Sequence, residues 1–283
     1  MDRPVVVGVD GSLGSIAAVH YAAALAGRRG APLRLVHGYL HPLGYGALGV
    51  SPYTPARPDP RVDAANMLAR IAAQATREHP FLDVATEQIA AGGGPALIEC
   101  SRGAEAVVVG HRGLSAPAEL VLGSVSSQVA ARASGPVVVV RQPAGGRLDG
   151  PVVVGVDGST GCVPALEFAF EEAAQRALPL LAVHVADETD RPGWAAEELL
   201  DDAVDPWVTK YPLVDVRRQV RPATMVEQAL VELSADASLV VVGSRGRGGL
   251  SGLLLGSTSQ ALVHHGRCPV TVVHPRATRR AGA

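Results

Sequence analysis

A stretch of nine residues occurs twice in this chain without a single difference. Residues 4–12 read PVVVGVDGS, and residues 151–159 repeat them 147 positions later. A repeat of this length indicates an internal duplication, so the chain must fold as two similar copies. A second shared motif, which begins at Gly110 and at Gly243, has an offset of only 133. Because 147 exceeds 133 by 14, the second copy is 14 residues shorter, and we place the deletion opposite residues 38–61.

The length of the chain agrees with this duplication, since 283 residues correspond to about two domains. We assign residues 1–143 to a first domain, residues 144–150 to a linker, and residues 151–276 to a second domain. The linker is predicted from its glycines, and residues 278–283 are predicted to form a frayed tail.

Short apolar runs alternate with helix-like stretches in each copy. The runs are rich in valine, which is typical of strands that are buried on both faces of a parallel sheet. The alternation predicts the fold class α/β, with two tandem open five-stranded parallel sheets and helices on both faces. The predicted strands are residues 5–9, 33–37, 83–89, 106–109 and 136–140, and residues 152–156, 180–185, 214–220, 239–242 and 270–273.

Two details of this plan can be tested directly. Residues 137–140 would form a flat apolar sheet edge, which must be covered or paired, and residues 270–273 of the second copy are the natural partner. The helix predicted over residues 194–210 contains Pro206, which is expected to kink or split it.

A glycine-spaced loop follows the fourth apolar run of each copy. Gly110 and Gly113 are followed, after nine residues, by Gly123 and Ser124, and the second copy repeats this spacing. Glycines let the backbone approach a ligand closely, and the helix that follows offers unpaired N–H groups and a positive dipole end. The spacing therefore predicts two loops that bind phosphate, although glycines can also simply end a strand and begin a helix.

Composition excludes several other classes of protein. A formal net charge of −2 gives no general attraction to nucleic acid or anionic lipid. Three widely separated cysteines argue against a disulfide framework and for a reducing compartment. No apolar run is long enough to span a membrane, and no signal peptide is recognisable, so we expect a cytoplasmic protein. The only lysine, Lys210, is far from any glycine loop, which excludes a Walker-type loop.

The pattern G-x2-G-x9-G-[ST] after an apolar run resembles the nucleotide-binding branch of the universal stress protein family. The opening VVVGVDGS and the closing CPVTVV (residues 268–273) also fit, and the chain resembles a tandem-domain member as found in actinobacteria. The resemblance covers both domains and implies the strand order 3-2-1-4-5, which places Asp10 beside the Gly110 loop. It also implies ATP, possibly with Mg²⁺, as the ligand, and domains that associate in pairs.

The resemblance implies a set of ligand-binding residues in each copy. In the first copy they are Val9, Asp10, Gly11, Val36, Gly110, Arg112, Gly113, Gly123, Ser124 and Val125. In the second copy they are Val156, Asp157, Gly158, Val183, Gly243, Arg245, Gly246, Gly256, Ser257 and Thr258. For Asp10 and Asp157 an ordinary Asp-Gly turn that caps the next helix is the alternative. Positive charge at the phosphates would come from Arg112, Arg245, Arg247 or a metal ion.

The expected function is that of an ATP-binding stress or regulatory protein, in which ATP orders the glycine loops and changes partner or oligomer contacts. No catalytic residue and no metal ligand is assigned, because no general base for attack by water is apparent. A slow Mg-dependent ATP hydrolase and an interaction module without nucleotide remain alternatives, and AMP or a signalling nucleotide could replace ATP. A homodimer and an unknown regulatory protein are the expected partners, with no nucleic acid and no membrane.

Two further patterns are given structural interpretations. His264, His265 and Cys268 are interpreted as a helix end that leads into a strand, not as a metal site. His37 and His184 follow the second strand of each copy and are interpreted as residues at the edge of the core.

Overall fold

The computed structural model describes residues 3–39, 60–113, 122–141, 149–186, 193–246 and 255–275. The chain divides into two compact units, Met1–Gly135 and Pro136–Ala283. Most of the long loop after the second strand, most of the linker and the predicted tail lie outside the described residues. The domain boundaries at residues 143, 151 and 276 stay predictions.

The first unit contains a parallel sheet with the strand order β3-β2-β1-β4. Its strands are β1 (Val5–Gly8), β2 (Leu33–Gly38), β3 (Val84–Ile89) and β4 (Ala106–Gly110). Its helices are α1 (Leu13–Arg29), α2 (Pro60–Glu78), α3 (Gly93–Ser101) and α4 (Ser124–Arg132). Because β1 lies between β2 and β4, the segments that follow these three strands leave the sheet at the same edge, where ligands bind in such folds.

The second unit has the strand order β5-β10-β9-β6-β7-β8. Its strands are β5 (Pro136–Val140), β6 (Val152–Gly155), β7 (Leu180–Ala186), β8 (Val216–Pro222), β9 (Leu239–Gly243) and β10 (Val270–Val273). Its helices are α5 (Val163–Arg176), α6 (Gly193–Lys210), α7 (Val226–Leu233) and α8 (Ser257–His265). Strand β5 pairs antiparallel with β10, which confirms the predicted mate of the apolar edge, and the other pairings are parallel. The predicted α/β fold with two similar copies is confirmed.

Valines form the centre of both sheets. Val5, Val6 and Val7 in β1 are completely buried, as are Val152 and Val154 in β6. Because helices cover both faces of a parallel sheet, successive side chains are buried whichever way they point, and the sequence does not alternate. Among the described residues, no helix is both long and apolar enough to cross a membrane.

Helix α1 begins after an N-cap serine, Ser12. The Ser12 hydroxyl oxygen accepts a hydrogen bond from the Ser15 backbone N–H at 3.1 Å. The helix ends at Gly30, which adopts a left-handed conformation with φ 59°. Its counterpart after α5 is Ala177, which adopts the same conformation with φ 51° at a steric cost that glycine avoids.

Of the two predicted effects of Pro206, a kink or a split, the split does not occur, because helix α6 continues through the proline; the kink stays a prediction. Two aromatic rings that follow the proline explain the continuity. Trp207 and Tyr211 lie with ring centroids 6.2 and 5.8 Å from that of Phe170 in α5. Aromatic burial of this kind offsets the roughly 3 kcal/mol that a proline costs inside a helix.

The cysteines should differ from ordinary thiols in reactivity. Burial raises the pKa of Cys268 to about 12, and it also raises the pKa of Cys100 and Cys162. Since only the thiolate reacts with iodoacetamide, we expect Cys268 to stay unmodified for hours at pH 8 in the folded protein. All three cysteines should be alkylated in urea, and mass spectrometry of peptides gives the comparison. Rapid native labelling of Cys268 would contradict the packing of β10 described above.

Candidate functional site

A cavity of about 310 Å³ lies at the carboxyl ends of β1, β2 and β4, and one of about 410 Å³ lies at the ends of β6, β7 and β9. Both volumes are in the range of small-molecule sites. The first cavity is lined by the predicted residues Val9, Asp10, Val36, Gly110, Arg112, Gly113, Gly123, Ser124 and Val125. The second is lined by Val156, Asp157, Val183, Gly243, Arg245, Gly246, Gly256, Ser257 and Thr258. The structure thus brings together nine of the ten residues predicted for each copy.

Gly11 and Gly158 are the two predicted residues that do not line a cavity. Both have positive φ angles, 84° and 71°, in the turn that links the first strand of each copy to its helix. Glycine adopts this conformation without the steric cost that other residues incur. The turn geometry alone accounts for these two glycines.

The aspartate that precedes each of these glycines has two separate roles. Oδ1 of Asp10 accepts hydrogen bonds from the backbone N–H of Ser12 at 3.0 Å and from its hydroxyl at 2.6 Å. Asp157 does the same with Ser159, at 3.0 and 2.7 Å. Oδ1 of Asp10 therefore holds the turn, as the alternative interpretation expects, but the cap of helix α1 is Ser12 and not the aspartate. Oδ2 of Asp10 lies close to Gly113, and Oδ2 of Asp157 lies close to Gly246.

The glycines of the loop are needed for close approach. A Cβ atom on Gly246 would lie 2.5 Å from Oδ2 of Asp157, and one on Gly113 would overlap Oδ2 of Asp10 in the same way. A Cβ on Gly110 would lie 2.5 Å from the backbone carbonyl of Gly14 in the first turn of α1. Because these glycines have no side chain, the Asp10 carboxylate can lie against Gly113, and the end of β4 can lie against the first turn of α1.

A helix N-terminus without a side-chain cap faces each cavity. Gly123 is the N-cap of α4 and Gly256 that of α8, and neither offers a side-chain hydrogen bond to the first turn. The N–H groups at such an end, together with the helix dipole, attract anions. The predicted phosphate contacts, Ser124 and Ser257, are the first residues of these helices.

Sequence reasoning missed a serine that fixes this helix to the sheet. The Ser126 hydroxyl donates to the Gly110 carbonyl oxygen at 2.6 Å, and the Ser259 hydroxyl donates to the Gly243 carbonyl oxygen at 2.7 Å. Both serines line their cavities. The signal was available, because a serine follows the Gly-Ser pair at the same spacing in both copies.

His37 and His184 lie within β2 and β7, not after them as the sequence predicted, and both line the cavities. Nδ1 of His37 lies 2.7 Å from the Val9 carbonyl oxygen, and Nδ1 of His184 lies 2.7 Å from that of Val156. A carbonyl oxygen only accepts, so Nδ1 carries the proton and donates. In the neutral ring Nε2 is then a hydrogen-bond acceptor whose position is fixed by the backbone.

The two loop arginines have different surroundings. Arg112 is half-buried, and its Nε atom is buried without a hydrogen-bond partner among the described residues. Arg245 is exposed. Arg247 lies outside the described residues.

The chemistry of the arrangement suits an anion that lies beside a carboxylate. Among the residues described, Asp10 and Asp157 are the only carboxylates that line the two cavities. Each has one oxygen held by a serine, as described above. Apolar residues such as Val36 and Leu97 line the remaining wall of the first cavity. A molecule with a phosphate end, hydroxyl groups and a flat apolar end fits these surroundings.

Comparisons with known proteins agree over the whole chain. The sequence model of the universal stress protein family matches residues 1–141 and 150–274. A universal stress protein of Mycobacterium tuberculosis is 39% identical over 289 residues, which cover 95% of this chain and 96% of the relative. One of Mycolicibacterium smegmatis is 37% identical, covering 96% and 97%. The crystal structure of a universal stress protein from Archaeoglobus fulgidus shares the fold with a TM-score of 0.71 at 20% identity, covering 98% of this chain and 97% of that one.

Proposed function

The chain belongs to the universal stress protein family, and we propose that it is a regulatory protein that binds one ATP molecule in each of its two domains. One observation carries the proposal. In both units a carboxylate, bare-backbone glycines and an uncapped helix N-terminus line the same cavity. The duplicated chain has kept this combination in both copies, so both sites are proposed to function.

The residues present fit a nucleotide with phosphate groups. The buried Nε of Arg112 has no partner among the described residues, and an unsatisfied buried donor of this kind costs about 1–3 kcal/mol. A phosphate oxygen at the start of α4 would satisfy such a donor. The ribose hydroxyls would donate to Asp10 Oδ2, and Val36 would contact the base.

Mg²⁺ is compatible with this arrangement, because Mg²⁺ is usually bound by one or two carboxylates together with phosphates and water. Asp10 or Asp157 would supply the carboxylate, and the ion would neutralise charge on the phosphates. Within the described parts of the chain, no group of three or more His, Cys, Asp or Glu side chains is placed to hold a metal ion by itself. A metal ion would therefore be bound together with the nucleotide.

ATP binding would act on the loop segment between the second loop glycine and the start of the following helix in each copy. A ligand that contacts both Gly113 and Ser124 constrains the ends of residues 114–121, and the same holds for residues 247–254. We propose that this change is read by a second copy of the chain in a cytoplasmic homodimer, or by a regulatory protein. Sedimentation with and without ATP tests the first of these partners.

Replacing Asp10 with asparagine should weaken ATP binding in the first domain about 10- to 100-fold. Hydrogen bonds to a charged group contribute about 1.5–3 kcal/mol, and the substitution removes that charge. The asparagine oxygen can still accept from Ser12, so the thermal midpoint should change by only a few degrees. Titration calorimetry measures the affinity, with Asp63→Asn, at an exposed position of helix α2, as the matched control. Unchanged or tighter binding would exclude the proposed contact with Asp10.

The protein should hydrolyse ATP slowly or not at all. Among the described residues, the only carboxylates that line the cavities are Asp10 and Asp157, and each is hydrogen-bonded to a serine, so we expect far less than about one turnover per second, even with Mg²⁺. Phosphate release from purified protein measures the rate, and Asp10→Ala and Asp157→Ala identify any contaminating ATPase, whose rate they would not change. A rate on the order of one per second that both substitutions abolish would instead establish a Mg-dependent hydrolase.

A further inference from the structure

The two cavities differ in one wall, although their phosphate ends are the same. In the first unit Gly38, at the end of β2, and Gly93, at the start of α3, line this wall. In the second unit the equivalent positions are Val185 and Val226, and both line the second cavity. The pairing follows from the offsets of the two repeated motifs, 147 for Gly38 and 133 for Gly93.

The glycines make the first cavity smaller. A Cβ on Gly38 would lie 2.7 Å from the Cα of Gly93 and 2.8 Å from the Ala91 carbonyl oxygen, so two stretches of backbone are in direct contact. Valine side chains at both positions would require the same two stretches to lie farther apart. The second cavity is the larger of the two, about 410 Å³ against about 310 Å³, although its side chains are larger, and this agrees with such a separation.

This wall lies away from the phosphate end. Strand β2 is separated from β4 by β1, so its end lies roughly 10 Å across the sheet from the Gly110 loop. If phosphates occupy the start of α4, the base of the same nucleotide is directed toward the end of β2. The equivalent wall of the second cavity is apolar, with Leu230 beside Val185 and Val226.

We propose that this pair of positions sets the base specificity of each site, an inference that rests on the proposed nucleotide binding. The first site accepts only an unsubstituted adenine base, because touching backbones close the wall. The second site also accepts adenine nucleotides that carry an apolar substituent on the base. Val185 and Val226 contact that substituent.

The test uses ATP and N6-benzyl-ATP on full-length protein in which one site is disabled, with Gly256→Asp leaving the first site and Gly123→Asp leaving the second. For the first site we expect benzylation to weaken binding at least about 30-fold, since the backbone atoms of the wall at Gly38 and Gly93 cannot rotate away from added bulk. For the second site the two affinities should agree within about threefold. The quantity compared is the ratio of the Kd for N6-benzyl-ATP to the Kd for ATP. Adding Val226→Phe to the protein with only the second site should raise this ratio toward the value for the first site. Val163→Phe, on an exposed valine that does not line the cavity, should leave the ratio unchanged.

Three outcomes separate the claims. Equal ratios at the two sites, or a ratio that does not respond to Val226→Phe, would overturn the specificity assignment while ATP binding stands. The converse variant, with Gly38→Val and Gly93→Val in the first-site protein, should lower the ratio if it folds. Failure of ATP itself to bind at both sites would overturn the proposed function, and the specificity assignment with it.

Discussion

Replacing Gly123 with aspartate should abolish ATP binding in the first domain and leave the domain folded. Gly123 has an extended conformation, with φ −74° and ψ 151°, and a Cβ there would lie no closer than 3.4 Å to any neighbouring atom. Aspartate is a preferred N-cap residue, and its charge favours the helix dipole, so the helix should be at least as stable. The carboxylate would, however, occupy the position proposed for phosphate. Two like charges about 4 Å apart repel by about 4 kcal/mol near a protein surface, which corresponds to about a thousandfold in affinity.

The matched control is Gly123→Asn, which has the same shape without the charge and should retain most of the binding. Gly256→Asp and Gly256→Asn provide the same pair in the second domain, because Gly256 has the same conformation and a Cβ there meets nothing within 3.7 Å. Titration calorimetry gives the affinities, and circular dichroism gives the thermal midpoints. If Gly123→Asp binds ATP as tightly as Gly123→Asn, phosphate does not lie at the start of α4.

Replacing Gly110 with alanine should destabilise the first domain by about 1–3 kcal/mol, the usual cost of overpacking. The added Cβ would lie 2.5 Å from the Gly14 carbonyl carbon and oxygen, and these are backbone atoms that cannot rotate away. The end of β4 and the first turn of α1 must then separate. Calorimetric unfolding should show a fall in the thermal midpoint of about 2–10 °C for a domain of this size.

The chain offers a matched glycine for comparison. A Cβ on Gly27, within α1, meets nothing within 4 Å. Gly27→Ala should therefore be neutral or should stabilise by up to about 1 kcal/mol, because alanine favours the helix. Gly243→Ala in the second domain should resemble Gly110→Ala, since its Cβ would lie 2.8 Å from the Gly161 carbonyl oxygen. Equal midpoints for Gly110→Ala and Gly27→Ala would contradict the close approach.

Much of the fold could be predicted from the sequence because local and global signals agree. The valine runs fix the buried strands, and the nine-residue repeat defines two copies. The continuity of α6 could not be predicted, because the rings that stabilise it beyond Pro206 pack against Phe170, which is more than 30 positions away in sequence.

The parts of the candidate site that consist of residues close together in sequence could be predicted. The contacts between residues that are far apart in sequence could not. The glycine spacing and the adjoining helix starts indicate an anion site, and the resemblance places Asp10 beside it. The role of His37 at the cavity depends on a hydrogen bond to the Val9 carbonyl, which no spacing reveals. The contact between Gly38 and Gly93 likewise joins residues from separate elements, and only the folded structure shows that these glycines narrow the cavity.

The most direct test of two working ATP sites is the stoichiometry of the unaltered chain. Purified protein is stripped of nucleotide and titrated with ATP and Mg²⁺ by equilibrium dialysis, and any nucleotide released beforehand is identified by mass. We expect saturation at about two ATP per chain, one for each cavity lined by Asp10 or Asp157. Saturation at one would confine the function to a single domain, and the absence of saturable binding at millimolar ATP would contradict nucleotide binding altogether.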